Sequence, residues 1–312
     1  MSSDVKVSVC INAFNHQNTI GKTIESIVGQ KTDFSFEVVI FDDFSTDGTR
    51  SIIQRYSFEY PGLIRYIFKE CNLFSINGHL PFIECWSAAK GQYIALCEGD
   101  DYWIDPLKLQ KQYDAIREND VDICFTNAYM EYSGGRRKEY FTRRESSKHM
   151  SLREVIKSGG GGMPTASIIM KAELLRNLPD WFVRAPVGDY FIQIIGARRS
   201  GAFYLNEVTC VYTVCSANSW TMRRKSILSD QIKKEICDYE YVFDSLKNEV
   251  GNHHSLDLAF SGVLAGSATL SCKSGDWSLA KMLLKKSIAM NNAISLKYRL
   301  LYLLTMLMKI IK

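Results

Sequence analysis

The 312-residue sequence predicts an α/β fold, a mostly parallel sheet flanked by helices and followed by a C-terminal helical extension. Three observations predict it. Apolar runs without polar alternation recur at residues 6–12, 36–41 and 93–97, which suits strands covered on both faces. Stretches with helical spacing stand between them, such as Ile20, Ile24, Ile27 and Val28. From about Arg223 onward, helix signals follow one another without strands. Alternating strands and helices favour parallel pairing through crossover helices, so a sheet domain over 1–222 and a helical region over 223–312 are expected.

The elements follow in order. The first strand leads into a polar loop through Asn15, His16 and Gln17, and Gly29 ends the helix after it. The second strand ends in Asp42 and Asp43, then Ser45, Asp47 and Gly48. Asp47 is placed to cap a helix over 49–60, with Ile52, Ile53 and Tyr56 inward and Pro61 stopping it. A third strand over 63–68 and a helix over 80–89, with Gly91 beyond, bring the chain to the strand at 93–97. Asp105-Pro106 reads as a helix start, Asp as cap and Pro in the first turn, running to Glu118.

Past a strand at 122–129 the pattern is less regular. A basic, glycine-containing insertion covers 134–148, and Ser151-x-x-Glu154 is a capping box opening a short helix. The glycines at 159–162 follow a helix rather than a strand, so a mobile loop at the mouth of a site fits them better than a phosphate cradle. Strand-like segments stand at 166–170, 202–205 and 209–214, and a helical hairpin at 259–270 and 277–290. The last stretch, 296–312, sets Leu300, Leu301, Leu303, Leu304, Leu307, Ile310 and Ile311 among Lys297, Arg299, Lys309 and Lys312. Its uncharged core is too short to span a bilayer. It suits an interfacial helix on an inner membrane surface, with packing on the main domain as the open alternative.

Composition narrows the function classes. A net charge of +4 is too weak to argue for nucleic acid, while 46% hydrophobic residues are those of an ordinary globular protein. The 9 cysteines form no Cys-x-x-Cys pair, and Cys10, Cys97 and Cys124 lie inside apolar runs. Buried thiols in a reducing cytoplasm are expected, without a disulfide frame or zinc site. The first residues lack the apolar core of a signal peptide, which agrees with a cytoplasmic location.

The chemistry gathers where strands end. Glu98, Asp100 and Asp101 follow the run from Tyr93 to Cys97, at the carboxyl edge where open α/β sheets hold ligands. Crowded carboxylates are hard oxygen donors that suit Mg2+ or Mn2+; a solvated acidic turn is the plain alternative. Asp189 heads the apolar helical pattern of Phe191, Ile192, Ile194 and Ile195, either as a first-turn acid or as a general base beside a cleft. No Gly-x-Gly-x-x-Gly follows the first strand, which disfavours a dinucleotide oxidoreductase. No early glycine-rich loop ends in a basic residue, as a nucleotidyltransferase would need.

Together, the stretches from Val7 to Asn15, from Val39 to Gly48 and from Leu96 to Trp103 resemble the inverting glycosyltransferases of family 2, with their Rossmann-like GT-A fold. They resemble especially the bacterial members that build capsule and O-antigen polysaccharide. The resemblance covers residues 5 to about 220. It implies a nucleoside-diphosphate sugar donor, a UDP-sugar first, with Ala13, Phe14, Asn15, Asp42 and Asp43 around the base and ribose. Glu98, Gly99 and Asp100 stand in place of the family's Asp-x-Asp, with Asp100 and Asp101 as metal ligands for Mn2+ or Mg2+. Gly188-Asp189-Tyr190 matches the segment of the catalytic base, which selects Asp189. The acceptor is then a saccharide or a lipid-linked saccharide, the sugar hexosyl or N-acetylhexosaminyl, with Trp103 and Trp181 as acceptor-side candidates. Two positions depart from the pattern: Glu98 replaces an Asp, and Thr213-Val214-Cys215 stands where relatives carry a histidine. A non-catalytic nucleotide-sugar-binding protein, or a membrane-peripheral scaffold, is the alternative class.

Overall fold

The computed structural model describes residues 5–141, 146–214, 227–251 and 253–307. The chain divides into two compact units. The first comprises Met1–Val155, Gly160–Val183 and Gly188–Ser216, and the second Ile156–Gly159, Arg184–Val187 and Ala217–Lys312.

The first unit is built on one sheet. Its strands are β1 (Val7–Ala13), β2 (Phe36–Asp42), β3 (Ile64–Phe68), β4 (Tyr93–Glu98), β5 (Tyr102–Trp103), β6 (Ile123–Glu131), β7 (Arg137–Glu139), β8 (Lys148–Met150), β9 (Ile169–Lys171) and β10 (Ala202–Thr213). The order is β3-β2-β1-β4-β9-β6-β10-β5, with β7 on β6 and β8 on β10. β3, β2, β1 and β4 run parallel. In that register Ala13 lies opposite Asp42 and Asn12 opposite Glu98, so three strands deliver their last residues to one edge.

Pleating decides which helix covers which face. Val7, Val9 and Ile11 of β1 share a cluster with Val38 and Ile40 of β2, with Ile20, Ile24 and Ile27 of α1 (Ile20–Val28), and with Ile53 and Tyr56 of α2 (Thr49–Glu59). Ser8, Cys10 and Asn12 point the other way, toward α3 (Leu80–Ala88): Asn12 donates to the Pro81 carbonyl at 2.9 Å, and the Cys10 thiol to that of Cys85 at 3.8 Å. The parallel half of the sheet is thereby covered on both sides, as its unbroken apolar runs require.

Beyond β4 the sheet becomes mixed. The strand expected at 166–170 is the short β9, antiparallel to both β4 and β6 and entered through a 3-10 turn at Thr165–Ser167. A strand reached by a turn rather than a crossover helix is free to run antiparallel. The segments expected at 202–205 and 209–214 are one strand, β10, whose register shifts between Leu205 and Val208 and again between Val208 and Cys210. Such bulges break the alternation on which a sequence reading depends.

Helix starts also move. α4 is Lys108–Glu118, three residues past Asp105, whose carboxylate accepts the Leu107 N–H at 2.9 Å ahead of the helix. Asp47 accepts the N–H of Thr49 at 3.0 Å and that of Gln17 at 3.2 Å, tying the start of α2 to the loop after β1. The capping box of α5 (Leu152–Ser158) is present, with Glu154 accepting the Ser151 N–H at 2.8 Å. Gly160–Gly162 form a 3-10 turn whose first carbonyl accepts from Gln193 of α7 (Gly188–Ala197) at 3.2 Å. The short α6 (Ala172–Arg176) follows β9.

The second unit contains α8 (Ser229–Val250), α9 (His254–Lys273), α10 (Trp277–Met290) and α11 (Leu296–Leu307). α8 buries Ile232, Ile236, Tyr239, Phe243 and Leu246, the stripe of an amphipathic helix. The expected hairpin is α9 with α10. Ser261 and Ser287 exchange hydroxyl-to-carbonyl bonds of 3.0 and 2.8 Å across it, and Asp276 caps α10 by accepting the Leu279 N–H at 2.9 Å. α9 has the length and apolar content of a membrane span, yet half of it is buried inside the protein, as a core helix would be. Every cysteine among the described residues is a free thiol.

Candidate active site

At the ends of β1 and β2, Asp42 is fully buried. Its Oδ1 accepts the Ser45 N–H at 3.0 Å and Arg50 Nε at 2.6 Å, while Oδ2 is buried without a hydrogen-bond partner. Asp43 is differently engaged: its two oxygens accept the N–H groups of Leu73 at 2.7 Å and Phe74 at 2.9 Å, fixing the loop before α3. Ala13 is buried, whereas Phe14 and Phe44 keep 40% and 39% of their surface exposed, large for aromatic rings. Asn15 and Phe44 hold left-handed backbones, φ 56° and 67°. Asn15 is locked there by bonds to Thr46 N and Ser45 Oγ, both 2.8 Å. For a bulky residue such as Phe44 the conformation costs about 1–2 kcal/mol, and strain of this kind gathers at functional sites.

The acidic turn after β4 is held by its backbone. Thr19 of the first helical segment donates to the Gly99 carbonyl at 2.8 Å, and Thr23 shares its one hydroxyl proton between the carbonyls of Asp101 at 2.7 Å and Gly99 at 3.1 Å. From the other side Thr213 donates its hydroxyl to the Asp100 carbonyl at 2.6 Å and its N–H to Asp101 Oδ1 at 2.8 Å. A side chain at Gly99 would overlap His16 Nδ1 and stand 3.3 Å from the Asn12 carbonyl oxygen. His16 Nδ1 is itself buried without a partner.

Carboxylates crowd this turn. Burial first, then Asp100 and Asp189, push Glu98 up to about 8. Burial, Asp100 and Glu98 raise Asp101 well above the carboxylate range, against the Thr213 N–H that lowers it. Tyr212 at the end of β10 is raised by burial and by the same three acids, and Tyr140, its ring 6.4 Å from that of Tyr212, by burial and Asp189. Among the described residues no three His, Cys, Asp or Glu side chains close into a metal cage. The donors are nevertheless all oxygen and repel one another, a set that fits a hard divalent cation.

Asp189 lies in the first turn of α7, its side chain open to solvent. Surrounding protein raises its pKa, opposed by the Thr165 hydroxyl bonded to it and by His79. His79 is seated over the start of α7: its Nδ1 would be 3.2 Å from a side chain at Gly188, and its ring is 4.9 Å from that of Phe182. Asp189, far from the acidic turn in the chain, thus stands near enough to raise the pKa of Glu98 and Asp101.

The profile of glycosyl transferase family 2 matches residues 8–178. The chain belongs to this family. An uncharacterized protein of Mycobacterium bovis is 40% identical over 136 residues, 43% of this chain and only 38% of that protein's own length. The UDP-Glc:alpha-D-GlcNAc-diphosphoundecaprenol beta-1,3-glucosyltransferase WfaP of Escherichia coli is 33% identical over 135 residues, 40% of this chain and 47% of WfaP. S. aureus TarS 1-349, solved with UDP-GlcNAc, superposes with a TM-score of 0.55 at 16% identity, over 96% of this chain and 79% of that one. The fold is therefore the GT-A fold expected.

Within this family 2 chain two sequence expectations change. Trp103 and Trp181 are each 4% exposed: the Trp103 indole donates to the Ala166 carbonyl at 3.0 Å, and Trp181 packs on Phe182 and Phe191. Both are core residues, with no face for an acceptor, because aromatics after a strand serve packing as readily as binding. Cys215 and residues 216–219 of the late loop lie outside the described residues. Sequence reading passed over His79, Tyr140, Thr165, Thr19 and Thr23. None belongs to a local motif; only the fold brings them to the edge.

Proposed function

We propose that this chain is a metal-dependent, inverting glycosyltransferase. It moves a sugar from a nucleoside-diphosphate sugar, a UDP-sugar first, to a hydroxyl of a saccharide or lipid-linked acceptor in bacterial surface polysaccharide of the capsule or O-antigen kind. The observation that carries the reading is the pairing of the acidic turn with Asp189, which stands near enough to raise the pKa of Glu98 and Asp101. WfaP, whose acceptor is a diphosphoundecaprenol-linked sugar, supports the lipid-linked class.

The strand ends divide the work. Asp42, with one buried oxygen still unpartnered, and the exposed rings of Phe14 and Phe44 suit a base and ribose, with Ala13 and Asn15 shaping the same pocket and Asp43 bracing its wall. Asp100, with Asp101 and Glu98 beside it, would hold Mn2+ or Mg2+, which when bound neutralises the charge of a departing diphosphate. Asp189 takes the proton from the acceptor hydroxyl as that oxygen attacks the anomeric carbon. A carboxylate whose pKa is raised is a better base than an ordinary surface aspartate. One displacement inverts the centre. This chemistry belongs to the sheet domain over 1–222, at the cytoplasmic face of the inner membrane.

Calorimetry with UDP, GDP, CMP and TDP sugars, with Mn2+ and then with chelator, tests the reading. Metal-dependent binding of one nucleotide class is expected. A folded sample that binds none of them sinks the proposal.

A further inference from the structure

The exposed apolar side chains of this protein are unevenly spread, and α11 holds a dense group. Leu296, Leu300, Leu303 and Leu304 are 70%, 55%, 55% and 49% exposed within a twelve-residue helix. At about 100° per residue they form one stripe about 100° wide, bracketed by Arg299 on one side and Lys297 on the other. The opposite face carries buried Thr305 and half-buried Tyr298, Leu301 and Tyr302, and is the side by which α11 packs on α10. The inward side is satisfied; the leucine side faces water.

We propose that this leucine face docks on an anionic phospholipid surface. Charge selects that occupant. Residues 296–312 contain Lys297, Arg299, Lys309 and Lys312 and no acid, a segment charge of +4 that equals the formal net charge of the whole chain. Lys309 and Lys312 lie outside the described residues and enter through the sequence alone. A second copy of this chain would bring like charges against Lys297 and Arg299, whereas anionic headgroups meet them with opposite charge. The twelve residues of α11 are too few to cross a bilayer. An apolar stripe bordered by basic side chains lies in the headgroup plane, leucines below it and cations at the phosphates. The proposal stands apart from sugar transfer, since docking needs neither donor nor acceptor.

The test is co-sedimentation of the full chain with vesicles of phosphatidylcholine and phosphatidylglycerol at 3:1, and of phosphatidylcholine alone. Binding to the anionic vesicles is expected to be at least tenfold stronger than to the neutral ones and to weaken with added salt. The Leu300→Asp/Leu303→Asp variant should lose tenfold or more of it, with circular dichroism and unfolding midpoint unchanged because both sites are exposed. Lys297→Glu/Arg299→Glu, which leaves the leucines in place, should lose about as much, at roughly fivefold per basic residue. A folded wild-type chain that ignores anionic vesicles, or binds both kinds equally, overturns the proposal. So does a dimer in analytical ultracentrifugation that the leucine variant dissociates, because the face would then belong to a second copy.

Discussion

Replacing Gly99 by alanine tests whether the acidic turn owes its position to the close approach of His16. The added methyl would overlap His16 Nδ1 and meet the Asn12 carbonyl oxygen and the Ala13 Cβ at 3.3 Å each. The imidazole, its Nδ1 buried, is the severe overlap; the Asn12 carbonyl belongs to β1 and need yield only a few tenths of an ångström. The turn cannot retreat freely, because Thr19, Thr23 and Thr213 grip its carbonyls at 2.6–3.1 Å. Overpacking of this kind costs about 1–3 kcal/mol, and the displacement falls on Glu98 and Asp100 on either side. Gly99→Ala should therefore lower the urea midpoint and weaken Mn2+-dependent donor binding tenfold or more. The assay is a double-mutant cycle with His16→Ala. If the imidazole is the obstacle, the double variant recovers much of the loss, with a coupling of about 1 kcal/mol or more. Gly99→Ala with unchanged stability and unchanged donor binding, or a double variant no better than the single, would refute the reasoning.

The other predictions follow from the same edge and from the core. Asp189→Asn should keep donor binding by calorimetry while turnover falls about 10²–10⁴-fold; undiminished turnover removes the base assignment. Because Asp189 must be ionised to accept a proton and the protein packed around it raises its pKa, the acid limb of kcat/KM should lie above that of an ordinary aspartate. His79→Ala should move that limb further up, since His79 lowers the Asp189 pKa; an unmoved pH profile means His79 serves packing alone. Chelator should abolish donor binding and Mn2+ restore it, and binding indifferent to both argues against a cation at Asp100. Lys108 is fully buried, bonded to Gln112 Oε1 at 2.7 Å with its Nζ 4.1 Å from the Trp103 ring centroid, and burial lowers its pKa from 10.5 to about 8. Between those values the unfolded chain binds more protons than the folded one, so stability rises with pH through that window. Relative to Lys108→Met, the wild-type urea stability should gain about 3 kcal/mol from pH 7.5 to 10.5; parallel curves for the two proteins refute a buried ammonium.

Much of the frame is local, and local information is what a sequence displays. β1, β2 and β4 announce themselves because a strand covered on both faces needs an unbroken apolar run, and Ile20, Ile24 and Ile27 repeat with the period of the helix they form. Ser151 with Glu154 is a signal whose donor and acceptor lie within three residues. The three ordered motifs, from Val7 to Asn15, from Val39 to Gly48 and from Leu96 to Trp103, were enough to point to family 2, which the match over 8–178 bears out.

The tertiary structure decided what depends on partners far along the chain. Asp42 and Asp43 are neighbours of one residue type, yet one keeps a buried oxygen unpartnered and the other is spent on Leu73 and Phe74. Trp103 looked like an acceptor platform until Ala166 and Lys108 closed around it. Leu303 and Leu301 read alike in sequence, and only the packing of α11 leaves one in water and the other half-covered. His79 joins Asp189, and Thr213 joins Asp101, through sheet order and the seating of helices. Strand and helix periods come from each residue's own neighbours; the electrostatics of the site come from side chains that meet only once the chain has folded.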